Sequence, residues 1–180
     1  MKKHSFIQVE FHSTVKLPSQ ELTQILKWLE MASLVMEKLI LKQGLIHSAW
    51  LKEAQGLRVS VLLCGETRIR KLNLDHRSKD KVTDVLSFPS YEALRKPRSK
   101  HEFAEPVIFL GDLAICHQRT IQQAKDFDIT YLDEFIHLFM HGMIHLIGFD
   151  HEISKKEEKV MEEWEAEALR LFSQIKKKGA

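Results

Sequence analysis

The chain contains little of what builds a cross-linked or membrane-embedded protein. Its only two cysteines, Cys64 and Cys116, lie far apart and outside any Cys-x-x-Cys pair. That pattern fits two buried apolar residues in a reducing compartment better than a disulfide framework or a thiolate metal site. No apolar run is long enough to cross a bilayer, and the stretch near the N-terminus is interrupted by Gln8, Glu10 and His12. We therefore expect a cytoplasmic protein with no membrane association.

An excess of charge of one sign is also missing. The chain has 27 Lys and Arg against 25 Asp and Glu, a formal net charge of +2. Overall charge therefore does not indicate a nucleic-acid binder, and any basic site has to be local. With 180 residues, 44% of them hydrophobic, the chain is long enough for a single domain over residues 1–180 and short for two.

Hydrophobic periodicity predicts an α+β domain of about four strands and about five helices. Within the last predicted strand, Gly111 and Asp112 indicate a bulge or a close backbone approach. Residues 92–106 carry basic side chains and no clear period, so they are predicted to be a surface loop insertion. The predicted strands are Ile7–Phe11, Leu57–Cys64, Val82–Pro89 and Val107–Cys116, and the clearest helices begin at Ser19, after Gly65–Thr67, at Thr130 and at Ser154.

Three histidines in eleven residues, in the segment HGMIHLIGFDH, predict a metal site. His141 and His145 are four apart in a strongly helical stretch, so their rings share one face. Gly148 can end that helix in a left-handed conformation and let His151 turn back as a third ligand. Three nitrogens leave the fourth tetrahedral position open, as in a catalytic zinc site.

Alternatives exist for these histidines. Any one of them could be a core residue satisfied by hydrogen bonds, and His137, one turn upstream, is predicted to be a neighbour of the substrate or a packed core residue. The spacing also matches metzincin peptidases, but Gly142 stands where their general-base glutamate would be. Phosphodiester chemistry instead requires a nearby cation to stabilise charge on the phosphate, for which arginine is suited.

The same residues resemble the YbeY family of single-strand-specific endoribonucleases, whose HGxxHLxGxDH motif ends here at His151. Two further segments carry the resemblance, Leu72–Pro89 (LNLDHRSKDKVTDVLSFP) and Leu110–Ile115 (LGDLAI). His76 departs from the family's usual tyrosine and Val82 from its common proline, and both the N-terminal lead and the loop before Pro106 are longer than usual.

The resemblance implies one Zn²⁺ per chain on His141, His145 and His151, and Arg77 facing the substrate phosphate. It also implies that Ser87 and Asp112 lie near the metal. It implies a small mixed sheet packed with helices, similar to zinc metalloprotease domains. Further candidate RNA contacts are Arg70, Lys79 and His137. The first two belong to a group of basic residues near Arg77, and a second group follows later in the chain: Arg68, Arg70, Lys71, Lys79 and Lys81, and then Arg95, Lys96, Arg98 and Lys100.

The function that the resemblance implies is cleavage of single-stranded RNA in ribosomal RNA processing, particularly at the small subunit's 3′ end, and in ribosome quality control. Expected partners are ribosomal RNA, the small subunit and its assembly factors, and the expected state is a monomer. Two alternatives stay open: a non-catalytic assembly factor in which zinc staples the buried helix to the next loop, and a metzincin-like peptidase.

Overall fold

The computed structural model describes residues 5–97, 106–151 and 153–178, where it contains one four-stranded sheet and six helices. The predicted α+β class and strand count are confirmed, and the helices are one more than the predicted five. The strands are β1 (Ile7–Ser13), β2 (Gly56–Cys64), β3 (Val85–Pro89) and β4 (Val107–Cys116). The helices are α1 (Ser19–Gln43), α2 (Ser48–Leu51), α3 (Glu66–Arg77), α4 (His117–Asp126), α5 (Tyr131–Leu146) and α6 (Lys155–Lys178).

The sheet is mixed, with strand order β1-β2-β4-β3. The first three strands in that order are parallel, and β3 pairs antiparallel with β4 at one edge. Strand β3 begins at Val85, three residues later than predicted, directly after a bend at Asp84. The Asp84 carbonyl accepts a hydrogen bond from the Cys116 N–H at 2.7 Å, and its side chain accepts from the Val85 N–H at 2.8 Å.

Successive side chains along β2 and β4 point to opposite faces of the sheet, so the buried residues form two clusters, one on each face. Leu63 and Ile115 face the main core, which α1, α5 and α6 complete. Their neighbours Cys64 and Cys116, register partners on adjacent strands, face the other side. There both cysteines are free and buried, as predicted, in a smaller cluster beneath α3.

The predicted irregularity at Gly111 is confirmed as a bulge. The register passes from Arg58 opposite Phe109 to Val59 opposite Gly111, which leaves Leu110 as the extra residue. Gly111 has φ of +135°, and a Cβ there would collide with the carbonyl oxygen of Phe88. Only glycine lets β3 lie this close to β4 at that point.

Helix α5 begins as predicted, because the Thr130 hydroxyl accepts a hydrogen bond from the Asp133 N–H at 3.1 Å. The predicted insertion 92–106 is described only at 92–97 and 106, since 98–105 lie outside the described residues. In its described part Leu94 is fully buried, and its carbonyl accepts from the His47 N–H. Among the helices of the described residues, none is long and apolar enough to cross a membrane.

Candidate metal centre and its cleft

The three predicted histidines come together at the end of α5. His141 and His145 lie on successive turns of that helix, half-buried, and His151 is exposed in the segment that follows. One nitrogen from each ring lies within 4.8 Å of the others, and the Nε2 atoms of His141 and His145 are 3.1 Å apart. A tetrahedral ion bound at zinc–nitrogen distances would separate two ligand nitrogens by about 3.3 Å. The arrangement therefore fits a single ion.

Gly148 turns the chain back toward the helix. Its φ is +102°, and a Cβ there would lie 2.7 Å from the Cα of Ala93 and 3.0 Å from the carbonyl oxygen of Glu92. The chain therefore reverses tightly against the 92–93 segment, and that reversal brings His151 beside the other two histidines. This turn was predicted, but its second cause, the close approach of the 92–93 backbone, was not.

Hydrogen bonds set the tautomers of the two helical histidines. The Nδ1 of His141 is 2.8 Å from a carboxylate oxygen of Glu165, and the Nδ1 of His145 is 2.8 Å from the carbonyl oxygen of Phe149. Neither oxygen can donate, so each Nδ1 carries the proton and donates it. Each Nε2 then presents a lone pair, and a shared cation would stabilise two lone pairs 3.1 Å apart.

Burial reinforces this arrangement at His145. Desolvation first, and then the neighbouring His141, lower the pKa of His145 to about 4. The imidazole is therefore neutral near pH 7, which is the form that binds metal. The nitrogen-only donor set of His141, His145 and His151 fits zinc, with no thiolate or carboxylate among the three.

Glu165, on α6, is the residue of this centre that sequence reasoning missed. Burial, the largest single effect, disfavours its charged form. The hydrogen bond with His141 and the attraction of the neighbouring imidazoles together outweigh that cost and lower the pKa of Glu165 below its usual value. A signal was available: with Met161, Ala168 and Phe172, Glu165 shares the buried side of an amphipathic helix. A carboxylate in an apolar stripe indicates a buried partner, but not which partner.

A cleft of about 360 Å³ opens beside the histidines, between α5 and the edge strand β3. Arg77 lies on its rim at the end of α3, with Nη2 3.5 Å from the carbonyl oxygen of Ser87. Ser87 is 7% exposed and also lines the cleft, as does His137. The structure thus places Arg77, Ser87 and His137 around the same cleft as the triad.

Glu134 lies on the floor of the cleft and is 1% exposed. One of its oxygens is 3.3 Å from Nδ1 of His137, while the other, Oε1, has no hydrogen-bond partner among the described residues. The hydrogen bond from His137 to Glu134 is the main cause that raises the pKa of His137, against the opposing effect of burial. The cleft therefore holds an imidazole biased toward its protonated form one turn from the triad.

Asp84 lines the same cleft and is fully hydrogen-bonded. Burial disfavours its charge, but hydrogen bonds from the Gln123 side chain at 2.8 Å, the Val85 N–H and the Thr83 hydroxyl together lower the pKa of Asp84. Asp84 is therefore a fixed negative charge that joins the start of β3 to α4.

Three residues suggested as substrate contacts lie outside this cleft. Arg70 donates two hydrogen bonds to Asp80, at 2.7 and 2.8 Å, on the exposed side of α3. Lys79 is exposed and is not among the residues that line the cleft. Asp112, expected near the metal, lies on the opposite face of the sheet, because side chains alternate along β4 and its neighbour Leu113 faces α5.

Other predicted basic residues are also held by local contacts. Arg95 forms an ion pair with Glu157 at 3.0 Å and lies over the Phe149 ring. Lys71 pairs with Asp75 at 3.0 Å. Arg98 and Lys100 lie outside the described residues.

Gly142 has a packing role that explains the missing glutamate. A Cβ there would lie 2.7 Å from a methyl carbon of Leu113 and 3.3 Å from the Ser87 hydroxyl. A side chain at position 142 would therefore point into the sheet, against which α5 packs closely. The position cannot supply the general base of a metzincin-like peptidase.

Comparisons with known proteins identify one family that the chain matches. The family model described as "Endoribonuclease YbeY" matches residues 20–173. Relatives named Endoribonuclease YbeY include those of Finegoldia magna, 40% identical over 62% of this chain and 67% of that protein, and Leptospira interrogans, 38% identical over 63% and 86%. A chloroplastic relative from Arabidopsis thaliana is 41% identical over 61% of this chain, which spans 17% of that longer protein.

A solved structure shows a similar fold. The solution structure of TM1509 from Thermotoga maritima aligns with a TM-score of 0.54 and 23% identity, over 96% of this chain and 93% of that one. At this identity the likeness bears on the fold alone.

Proposed function

The chain belongs to the YbeY endoribonuclease family, and from that premise we propose that it is a zinc-dependent endoribonuclease that cuts single-stranded RNA. The observation that carries the proposal is the convergence of three histidine nitrogens within 4.8 Å, beside a cleft with an arginine on its rim. One Zn²⁺ per chain would be held by His141, His145 and His151.

The residues around the cleft divide the chemistry of phosphodiester cleavage among them. Zinc, when bound, acts as a Lewis acid toward the negative charge that develops on the phosphate oxygens. Arg77 bonds the same phosphate through its planar guanidinium, and the Ser87 carbonyl holds that side chain at the rim. Glu165 fixes the ring of His141.

His137 supplies a proton donor at the cleft in this proposal. Its hydrogen bond with Glu134 favours the imidazolium form, which can bond a phosphate oxygen or protonate a leaving oxygen. Ser87 acts on the substrate through Arg77, because the Ser87 carbonyl oxygen accepts a hydrogen bond from the guanidinium that bonds the phosphate. Since Arg70, Lys79 and Asp112 lie outside the cleft, any RNA contact that they make is away from the scissile phosphate.

The family resemblance supports the wider role. We propose that the RNA is ribosomal, that cleavage serves 3′-end maturation of the small-subunit RNA and ribosome quality control, and that the partners are the small subunit and its assembly factors. In the same proposal the protein acts in the cytoplasm as a monomer and a single domain.

A non-catalytic assembly factor is the second candidate, because an ion on the triad would also tie the end of α5 to the segment after it. The peptidase alternative has no support from Gly142, which has no side chain to act as a general base and packs closely against the Leu113 methyl groups.

The deciding experiment is cleavage of an end-labelled single-stranded RNA by zinc-loaded wild type, His141→Ala and Arg77→Ala, with zinc quantified in each. We expect both variants to lose cleavage, and Arg77→Ala to retain one zinc per chain. Arg70→Ala is the matched control, since Arg70 is an exposed arginine of the same helix paired with Asp80. Wild-type activity no higher than that of His141→Ala would reject the nuclease and favour the assembly factor.

A further inference from the structure

A second depression lies on the opposite face of the sheet from the metal centre. It has a volume of about 500 Å³, within the range of small-ligand pockets. Its floor is a row of register partners across three strands: Phe88 on β3, Asp112 on β4 and Ser60 on β2. Leu72 and His76 of α3 form one wall.

The lining has the chemistry of a nucleobase site. The His76 and Phe88 rings meet edge to face with centroids 4.9 Å apart, and His76 is exposed, so an aromatic surface is available for stacking. The Asp112 side chain is exposed, and its carboxylate has no hydrogen-bond partner among the described residues. A carboxylate accepts hydrogen bonds from the amino groups of cytosine, adenine or guanine.

The charge of the lining residues favours the base of a nucleotide over its phosphate. Among the described residues that line the depression, Asp112 is the only Asp, Glu, Lys or Arg, and the other titratable side chains are His12 and His76. The Asp112 carboxylate repels a phosphate placed beside it, and it does not repel the neutral face and amino edge of a base. The depression therefore selects the base of a nucleotide whose phosphate is bound elsewhere.

The metal cleft is adjacent across one strand. Ser87 lines the cleft and its neighbour Phe88 lines the depression; likewise Arg77 lines the cleft and His76 the depression. Strand β3 is the edge of the sheet, and Arg77 lies over its open side at the Ser87 carbonyl. An RNA strand can therefore pass over β3 from one site to the other without crossing a second strand.

We propose that this depression binds an unpaired base of the RNA, near the nucleotide whose phosphate lies at the metal centre and Arg77. The inference rests on the proposed ribonuclease function and adds to it a base-recognition subsite. His76 and Phe88 stack on the base, and Asp112 favours a base with an exocyclic amino group over uracil.

The test uses a set of short single-stranded RNAs in which one abasic nucleotide is moved along the chain relative to the cleaved bond. With zinc-loaded wild type, one position should raise KM about fivefold or more and leave kcat unchanged, because stacking of that base is lost. In His76→Ala the same abasic nucleotide should raise KM less than about twofold. Leu74 is an exposed residue of α3 outside both sites, so Leu74→Ala should show the same rise in KM as wild type.

Base identity is tested at the same position by exchanging cytosine for uracil. Wild type should prefer cytosine, Asp112→Asn should lose that preference, and Asp75→Asn, an exposed aspartate of α3 paired with Lys71, should keep it. An abasic scan without a sensitive position, an equal penalty in His76→Ala, or an unchanged base preference in Asp112→Asn would each overturn the assignment.

Failure of the function and failure of the subsite give different results. If wild type cleaves none of the RNAs, the ribonuclease proposal falls, and fluorescence anisotropy with the same RNAs then decides the subsite. The subsite is supported if one abasic position weakens binding to wild type and does not weaken binding to His76→Ala. Equal binding of all the RNAs by wild type would reject the subsite.

Discussion

At the scale of single residues, the metal centre depends on a side chain from another helix. The Glu165 carboxylate holds the Nδ1 proton of His141, so Nε2 of that ring is free to bind an ion. Such carboxylate partners both orient a ligand and increase its basicity. Glu165 therefore matters for metal affinity although it is not one of the predicted ligands.

Replacing Glu165 by alanine should weaken zinc binding about tenfold or more, because His141 loses its tautomer and orientation. The measurement is zinc affinity by competition with a chelator at neutral pH. Glu163→Ala, an exposed glutamate of the same helix, should bind zinc as wild type does. Equal affinity in all three proteins would show that Glu165 has no part in the site.

At the scale of elements, two helices end at glycines with positive φ that differ in their surroundings. Gly44, after α1, has φ of +77° and nothing within 4 Å of an added Cβ. Gly148, after α5, has φ of +102° and backbone atoms of the 92–93 segment at 2.7 and 3.0 Å. The first needs glycine for conformation only, and the second also for space.

Gly44→Ala should therefore lower the free energy of unfolding by about 1–2 kcal/mol, the cost of a left-handed L-residue. Gly148→Ala should cost about 3 kcal/mol or more and also weaken zinc binding, because the clash displaces the turn that carries His151. Urea unfolding of the zinc-free proteins and zinc titration of the refolded ones measure the two effects. Equal costs at both glycines would contradict the crowding at Gly148.

Asp84 joins β3 to α4 and makes this connection sensitive to acid. The pKa of Asp84 is lower in the folded protein than its usual value of about 4. The ionised Asp84 carboxylate therefore stabilises the folded protein at pH values above its usual pKa. This stabilisation is lost as the pH falls through the lower pKa of the folded state.

Asp84→Asn should lower the free energy of unfolding by about 1–3 kcal/mol at pH 7, and the difference from wild type should shrink as the pH falls below about 4. Urea unfolding across that pH range gives the comparison. Asp112→Asn, which removes a carboxylate that accepts no hydrogen bond from the described residues, serves as the control. A difference from wild type that is constant with pH would contradict the assignment.

At the scale of the whole molecule, we expect the hydrophobic core to form without the metal. The main hydrophobic cluster spans the sheet, α1, α5 and α6, and a second cluster fills the space beneath α3. Burial of this extent can hold a domain of this size folded without an ion. Zinc then adds stability only through its binding equilibrium.

Zinc removal by a chelator should lower the thermal midpoint by about 5–10 °C relative to protein with zinc at a hundredfold excess over its Kd, while unfolding stays cooperative. Scanning calorimetry of wild type, Arg77→Ala and His151→Ala measures this, and only His151→Ala should be indifferent to the chelator. Loss of cooperative unfolding in the zinc-free wild type would instead favour the zinc-stapled assembly factor.

The sequence by itself determined the local parts of this protein. The strand and helix periods, the Thr130 cap, the glycines at positions 111 and 148 and the spacing of His141, His145 and His151 are all patterns of residues close together in the chain. Short-range sterics and hydrogen bonding decide such features, so spacing is enough to predict them.

The tertiary structure alone decided what depends on packing between distant segments. Glu165 reaches His141 because α6 packs on α5, and Gly142 excludes a side chain because α5 lies against β3 and β4. Asp112 faces away from the metal because of its place in the alternation of β4, although its motif suggested otherwise. Which side chains share a cleft follows from strand order and the packing of the helices on the sheet, which a one-dimensional pattern does not encode.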